Sequence, residues 1–123
     1  MKVLIVDDEE LIAEELAEVV DFLGHEPVVS SGVDQALGLL ATSGPFDLVM
    51  TDLRMPQKSG EVLIEEIRKM KDTDVRIVVM SGHGGDEFNE TLKQLNSDNV
   101  FDIVSKPVGW EAVKGIFAKL SAT

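Results

Sequence analysis

The chain has 123 residues, enough for one domain, and 44% of them are hydrophobic, too many for a disordered segment. It has no cysteine, which excludes disulfides, thiolate zinc sites and a cysteine nucleophile. Its net charge of -12 disfavours direct binding of nucleic acid, whose phosphates such a chain repels.

The elements alternate. VLIV (3–6) reads as a short strand. Residues 9–23 carry Ile12, Leu16, Val19 and Leu23 at helical spacing, and Gly24 ends that helix. PVVS (27–30) is a second strand, and Pro27 places it at a sheet edge. A helix over 33–42 turns Ala36, Leu37 and Leu40 inward. DLVMT (47–51) is a third strand. A helix over 61–70 follows, with Val62, Leu63, Ile67 and Met70 inward. RIVVM (76–80) is strand four, a weaker helix covers 87–96, VFDIV (100–104) is strand five, and a helix over 110–120 closes the chain.

Five near-continuous apolar strands alternating with five helices predict a doubly wound α/β fold, with a parallel sheet covered on both faces. A strand order of 2-1-3-4-5 would put the Pro27 strand at the edge. No apolar run approaches the roughly 20 residues that span a bilayer. The opening MKVLIVDDEE is too short in its apolar part for a signal peptide, so no membrane insertion and a cytoplasmic location are the expectations. No repeat or linker interrupts residues 1–123, so they read as one domain.

In open parallel sheets, ligands bind beyond the carboxyl ends of the strands. Asp7 and Asp8 follow strand one, Asp52 follows strand three, Ser81 follows strand four, and Lys106 follows strand five. Each has a plainer reading. Asp52 could be a loop or capping residue. Asp7 and Asp8 could cap the first helix. Ser81 could serve turn chemistry, and Lys106 could be a surface lysine. Taken together they are a different matter. Three close carboxylates repel unless a cation intervenes, and Mg²⁺ suits oxygen ligands. A metal, a lysine and a hydroxyl around an aspartate suit phosphoryl transfer to that aspartate. His25 and His83 read as exposed loop residues without a second ligand for zinc.

The pieces VDDEE (6–10), DLVMTDLRMPQKSG (47–60), VVMSGHG (78–84) and IVSKP (103–107), in this order and each at a strand end, resemble the receiver domain of two-component response regulators. The resemblance covers the whole chain and implies a flavodoxin-like (βα)5 fold. It implies that Asp52 is the phosphoacceptor and that Mg²⁺ is held by Asp7, Asp8, Asp52 and the backbone carbonyl of Arg54. It also implies that Ser81 and Lys106 contact the phosphoryl oxygens and that the Lys106–Pro107 bond is cis. The partners it implies are a histidine kinase or histidine phosphotransfer protein and a downstream output domain or protein. The helix over 87–96, strand five and the last helix would form the output face, and a dimer could form through residues 87–120. Such a module is not a turnover enzyme. A stand-alone regulator and a domain of a longer chain are both open.

Other functions fit less well. A haloacid-dehalogenase-type hydrolase expects D-x-D on strand one, but Asp7 and Asp8 are adjacent. An FMN carrier would be repelled by three acids, and the complete Asp/Asp/Asp/Ser/Lys set argues against a scaffold without chemistry. One departure from the family stands out. Ile103 occupies the position, three before the lysine, where many receivers carry Tyr or Phe. It is stiff at χ1, so signalling is expected through backbone shifts of residues 81–87. By period-two alternation Phe101 is expected on the same face as Ile103.

Overall fold

The computed structural model describes residues 1–70, 74–82 and 100–122. In chain order the elements are β1 (Lys2–Val6), α1 (Glu10–Phe22), β2 (Glu26–Ser30), α2 (Val33–Thr42), β3 (Leu48–Asp52), α3 (Gly60–Lys69), β4 (Arg76–Ser81), β5 (Val100–Ser105) and α4 (Trp110–Ser121). The strands form one parallel sheet in the order β2-β1-β3-β4-β5. This is the doubly wound, flavodoxin-like α/β fold expected from the alternation. Pro27 lies on the edge strand β2, where its missing N–H costs no ladder bond.

Successive residues of the central strands feed opposite cores, as a pleated strand buried on both faces requires. Leu4, Val6, Val49, Ile77 and Val79 pack on one face with Leu63, Ile64 and Ile67 of α3 and Ala36 of α2. Val3, Ile5, Leu48, Met50, Val78 and Met80 pack on the other with α1 and α4. A fully buried Leu or Ile contributes about 1.5–3 kcal/mol relative to exposure, so these two layers supply most of the favourable term in folding.

The helix faces differ from the expected ones in detail. The buried stripe of α1 is Ala13, Leu16 and Val20; Val19 and Leu23 pack at its margin and Ile12 is half-buried. Val62 of α3 is exposed, and Ile64 takes the buried place instead. In α1 the stripe is rotated by about one residue toward small Ala13, which allows close approach to the sheet where the larger Ile12 does not. Gly24 ends α1 as expected. At φ +91° its N–H donates to the carbonyl of Asp21 at 2.9 Å, and the His25 N–H to that of Val20 at 3.1 Å. This is a Schellman closure, which a residue with a Cβ adopts only under strain.

Strand five corrects a second expectation. Ile77 pairs with Val100 but Val78 pairs with Asp102, so Phe101 is an extra residue in β5. The bulge breaks the period of two. Phe101 packs in the core beneath α1 and α4, whereas Ile103 packs on the opposite face. Asp102 turns toward α4 as well and pairs with Lys119 at 2.9 Å. His25 is also not a free loop residue. Its ring stacks on Phe117, with centroids 3.9 Å apart. His83, the helix expected over 87–96 and residues 83–87 of the signalling loop lie outside the described residues.

Candidate functional site

The parallel sheet aligns its carboxyl ends, and these carry the polar residues. Among the described residues the buried polar ones are Asp7, Ser30, Thr51, Asp52 and Ser81. Four of these five, Asp7, Ser30, Asp52 and Ser81, lie at or just beyond the last residue of β1, β2, β3 or β4. β3 runs one residue further than expected, so Asp52 is its last residue, in register with Met80 of β4. Asp52 is thus held by the ladder itself and not by a loop.

Asp7 follows β1, and its N–H donates to the Ser30 carbonyl of β2 at 3.1 Å. Its Oδ1 accepts the Glu9 N–H at 2.9 Å. This is an Asx-turn leading into α1, whose N-cap position is Glu9 with no side-chain cap. The second carboxylate oxygen, Oδ2, accepts from Lys106 Nζ at 2.9 Å. The same ammonium donates to Asp52 Oδ2 at 3.0 Å. The Lys106, Asp7 and Asp52 side chains are 11%, 0% and 8% exposed. Burial by itself lowers the pKa of Lys106. The hydrogen bonds to Asp7 and Asp52 and the charges of both carboxylates outweigh it, so its pKa is raised above the usual lysine range.

Backbone contacts position these groups. The Lys106 N–H donates to the Ser81 carbonyl at 2.7 Å, which ties the ends of β4 and β5 together. The Lys106–Pro107 bond is cis, as the resemblance implies; Gly44–Pro45 is cis too, which the sequence reading did not anticipate. The Asp52 carbonyl accepts the Thr51 hydroxyl at 2.8 Å, and Asp52 Oδ1 receives a long contact of 3.4 Å from the Arg54 N–H. The loop after Asp52 closes when the Gly60 N–H donates to the Leu53 carbonyl at 2.9 Å. A Cβ on Gly60 would stand 2.1 Å from the Asp52 carbonyl oxygen and 3.0 Å from Leu53 Cα. Gly60 therefore backs Asp52 directly. The sequence signal for it was present, a glycine eight residues after Asp52, but it reads equally as a helix start.

Asp7, Asp8 and Asp52 each offer a carboxylate oxygen, and these oxygens all lie within 4.8 Å of one another. Asp7 and Asp52 are buried and Asp8 is exposed. Hard oxygen donors, two of them anchored by the fold and one facing water, fit a small divalent cation that keeps part of its hydration. All the expected site residues are thus brought to one sheet edge: Asp7, Asp8, Asp52, Ser81, Lys106 and the backbone of Arg54. A surface groove runs from this edge between α1 and the segment after β5. It is lined by residues including Ile12, Leu16, Val19, Val108 and Trp110. Trp110 was not singled out from the sequence, where it reads only as the first residue of a helix.

Comparison with known proteins agrees with this geometry. The sequence profile of the response regulator receiver domain matches residues 3–117. An uncharacterized response regulatory protein of Staphylococcus epidermidis is 38% identical over 110 residues, covering 87% of this chain and 41% of its own. The transcriptional regulatory protein HptR of Staphylococcus aureus is 32% identical, covering 99% of this chain and 47% of its own. The chain therefore spans less than half the length of these curated relatives. Among solved structures, the response regulator protein TrrA of Thermotoga maritima, in complex with Mg²⁺ and BeF, superposes with a TM-score of 0.81 at 31% identity. That match covers 97% of both chains. With this fold, this cluster of acids and lysine, and a profile match over nearly its whole length, the chain belongs to the response regulator receiver domain family, the phosphorylation-controlled module of two-component signalling.

Proposed function

We propose that residues 1–123 act as one receiver unit in which Asp52 takes a phosphoryl group from a phosphohistidine of a kinase or phosphotransfer protein. The observation that carries this reading is the shared ammonium of Lys106. It lies between two buried carboxylates, 2.9 Å from Asp7 and 3.0 Å from Asp52. In the transfer, a carboxylate oxygen of Asp52 attacks phosphorus as the P–N bond to the histidine breaks. The imidazole leaves with the bonding pair and takes up a proton. Lys106 pairs with one phosphoryl oxygen and the Ser81 hydroxyl donates to another, so charge is met where it develops. Asp7, Asp8, Asp52 and the Arg54 carbonyl would hold Mg²⁺. When bound, the ion supplies positive charge against the phosphoryl oxygens and offsets the repulsion among the three acids. A relative, TrrA, is seen with Mg²⁺ and BeF, which supports the same ligand chemistry here.

Such a unit is a switch and not a turnover enzyme: the phosphorylated surface changes what it binds. The start of α1 and the loops around Asp52 would meet the phosphodonor. β5, α4 and residues 87–96 would meet the output domain or a second copy. Among the described residues no helix is long and apolar enough to cross a membrane, and we place the unit in the cytoplasm, where such phosphodonors act.

Incubation with acetyl phosphate and Mg²⁺ should add one acid-stable, base-labile phosphoryl group, read by intact mass. Asp52→Asn should lower the rate at least about 100-fold, since an amide is a poor nucleophile, and EDTA should block labelling of the unaltered chain. Undiminished labelling of Asp52→Asn would refute the assignment.

A further inference from the structure

Two of the buried polar side chains, Ser30 and Thr51, take no part in the proposed transfer. The Ser30 hydroxyl donates to the Gly32 carbonyl at 2.8 Å and so closes the turn into α2. Thr51 is harder to account for as packing. It pairs with Val6 of β1 on one side and with Val79 of β4 on the other, and both belong to the apolar layer beneath α2 and α3. Alternation along β3 puts Thr51 on the same face as Val49, a member of that layer. Thr51 itself is 0% exposed. Valine has the same β-branched shape and would complete this row with no polar atom to satisfy. A hydroxyl taken out of water in such a layer is costly unless it is bonded.

The bond it makes falls on one peptide unit. Thr51 Oγ1 donates to the Asp52 carbonyl at 2.8 Å. Gly60 approaches the same carbonyl from the start of α3, so closely that a Cβ there would stand 2.1 Å from the oxygen. The Asp52–Leu53 peptide is thus held from two sides. A peptide unit is planar, so fixing the Asp52 carbonyl fixes the Leu53 N–H and with them ψ of Asp52. The next units lead away from that plane. The Leu53 carbonyl accepts the Gly60 N–H at 2.9 Å, and the Arg54 N–H lies 3.4 Å from Asp52 Oδ1. The Arg54 carbonyl, one of the groups proposed to hold Mg²⁺, comes directly after. A rotation of about 15° about the Asp52 ψ bond moves a carbonyl two units further on by roughly 1–2 Å. Mg²⁺ demands near-ideal octahedral geometry, so a ligand displaced that far is lost to it.

We infer that Thr51 is a positioning residue for the phosphoacceptor: its hydroxyl fixes the Asp52–Leu53 peptide plane and thereby sets where the Arg54 carbonyl stands relative to the Asp52 carboxylate. The inference rests on the receiver reading and adds to its reaction a side chain that touches neither metal nor phosphorus. It also gives the buried hydroxyl a use that packing does not supply.

Two substitutions separate positioning from packing, because the two roles rank them in opposite order. Thr51→Val deletes the hydroxyl and keeps the shape; Thr51→Ser keeps the hydroxyl and leaves a methyl-sized gap. Circular dichroism checks the fold, and Thr51→Ser should melt below Thr51→Val, since a lost buried methyl leaves a cavity. In Mg²⁺ titrations followed by amide shifts, without phosphodonor, Thr51→Val should bind the ion at least about tenfold more weakly, and Thr51→Ser within about twofold of the unaltered chain. In the metal-free protein the Leu53 amide nitrogen should shift in Thr51→Val and stay in place in Thr51→Ser, because a hydrogen bond to a carbonyl polarises its whole peptide unit. Labelling of Asp52 by acetyl phosphate should slow at least about tenfold in Thr51→Val and stay within about twofold in Thr51→Ser, despite its lower melting point. Mg²⁺ affinity and labelling that follow stability, with Thr51→Ser the worse variant, overturn the inference. So does a Thr51→Val protein that matches the unaltered chain in both. Failure of the unaltered chain to label removes the receiver reading and the inference with it, whereas labelling that Thr51→Val leaves undiminished removes the inference alone.

Discussion

The two edges of the sheet are built from the same residue types and use them in opposite ways. At the amino edge, Asp47 accepts the Lys2 N–H at 2.8 Å in an exposed contact, and the Lys2 ammonium lies 4.9 Å from the centroid of the Phe46 ring. His25 meets the amino-terminal ammonium at 2.9 Å, again exposed. At the carboxyl edge, Asp7, Asp52 and Lys106 are nearly closed to water. Charges left in water cost little and contribute little. Charges taken out of water cost several kcal/mol each before their attraction repays it, and a well-packed apolar cluster would often be as stable. The carboxyl edge is therefore not explained as a device for stability. Buried acids and an ammonium on one sheet edge are what the phosphoryl transfer proposed for Asp52 would use, and two apolar cores offset their cost.

This contrast can be broken. Lys106→Gln should destabilise the metal-free protein by about 3–5 kcal/mol in urea unfolding, because it leaves two buried carboxylates uncompensated. Lys2→Gln at the other edge should cost less than about 1 kcal/mol. Equal losses would mean that burial does not distinguish the edges. Added Mg²⁺ should recover more stability in Lys106→Gln than in the unaltered chain, since the ion then replaces the missing cation.

A second comparison concerns glycine. Gly60→Ala should cost about 1–3 kcal/mol or more, because its Cβ would collide with the Asp52 carbonyl, and labelling by acetyl phosphate should slow with it. Gly38→Ala in α2, where a Cβ meets nothing within 4 Å, should instead stabilise by about 0.5–1 kcal/mol. If both changes behave alike, Gly60 is not a support of the site.

Asp8 sharpens the distinction within the carboxyl edge. Asp7 is tied down by Lys106 and the Glu9 N–H, whereas Asp8 faces water. Asp8→Asn should weaken Mg²⁺ by at least about tenfold in titration calorimetry, the scale of losing a supporting group. Metal-free stability should hold or rise as repulsion among the three acids eases.

The smallest effect belongs to the amino edge. Burial and then the amino-terminal ammonium hold His25 below its usual 6.5, with Asp47 opposing. The unfolded chain therefore binds more protons at His25 than the folded one. Its contribution is fully present above about pH 6.5 and is lost as the pH falls through the lowered folded value. The stability of His25→Gln should depend less steeply on pH between about 5 and 7, and a steeper dependence would contradict the assignment.

Much of this molecule was legible in its residues. Alternating apolar runs and helical stripes specified the five strands and helices α1 to α4, since burial on both faces leaves a periodic mark. Asp7, Asp8, Asp52, Ser81 and Lys106 were recognisable because each follows an apolar run, and a parallel sheet brings such ends together. The tertiary structure alone decided that Lys106 bridges Asp7 and Asp52, residues 99 and 54 positions away in the chain. It alone put Gly60 against the Asp52 carbonyl, and a bulge at Phe101 sends that ring to the face opposite Ile103. Periodicity records which side of its own element a residue occupies. It does not record the register between strands or the distance between backbones, and those are set by neighbours remote in sequence.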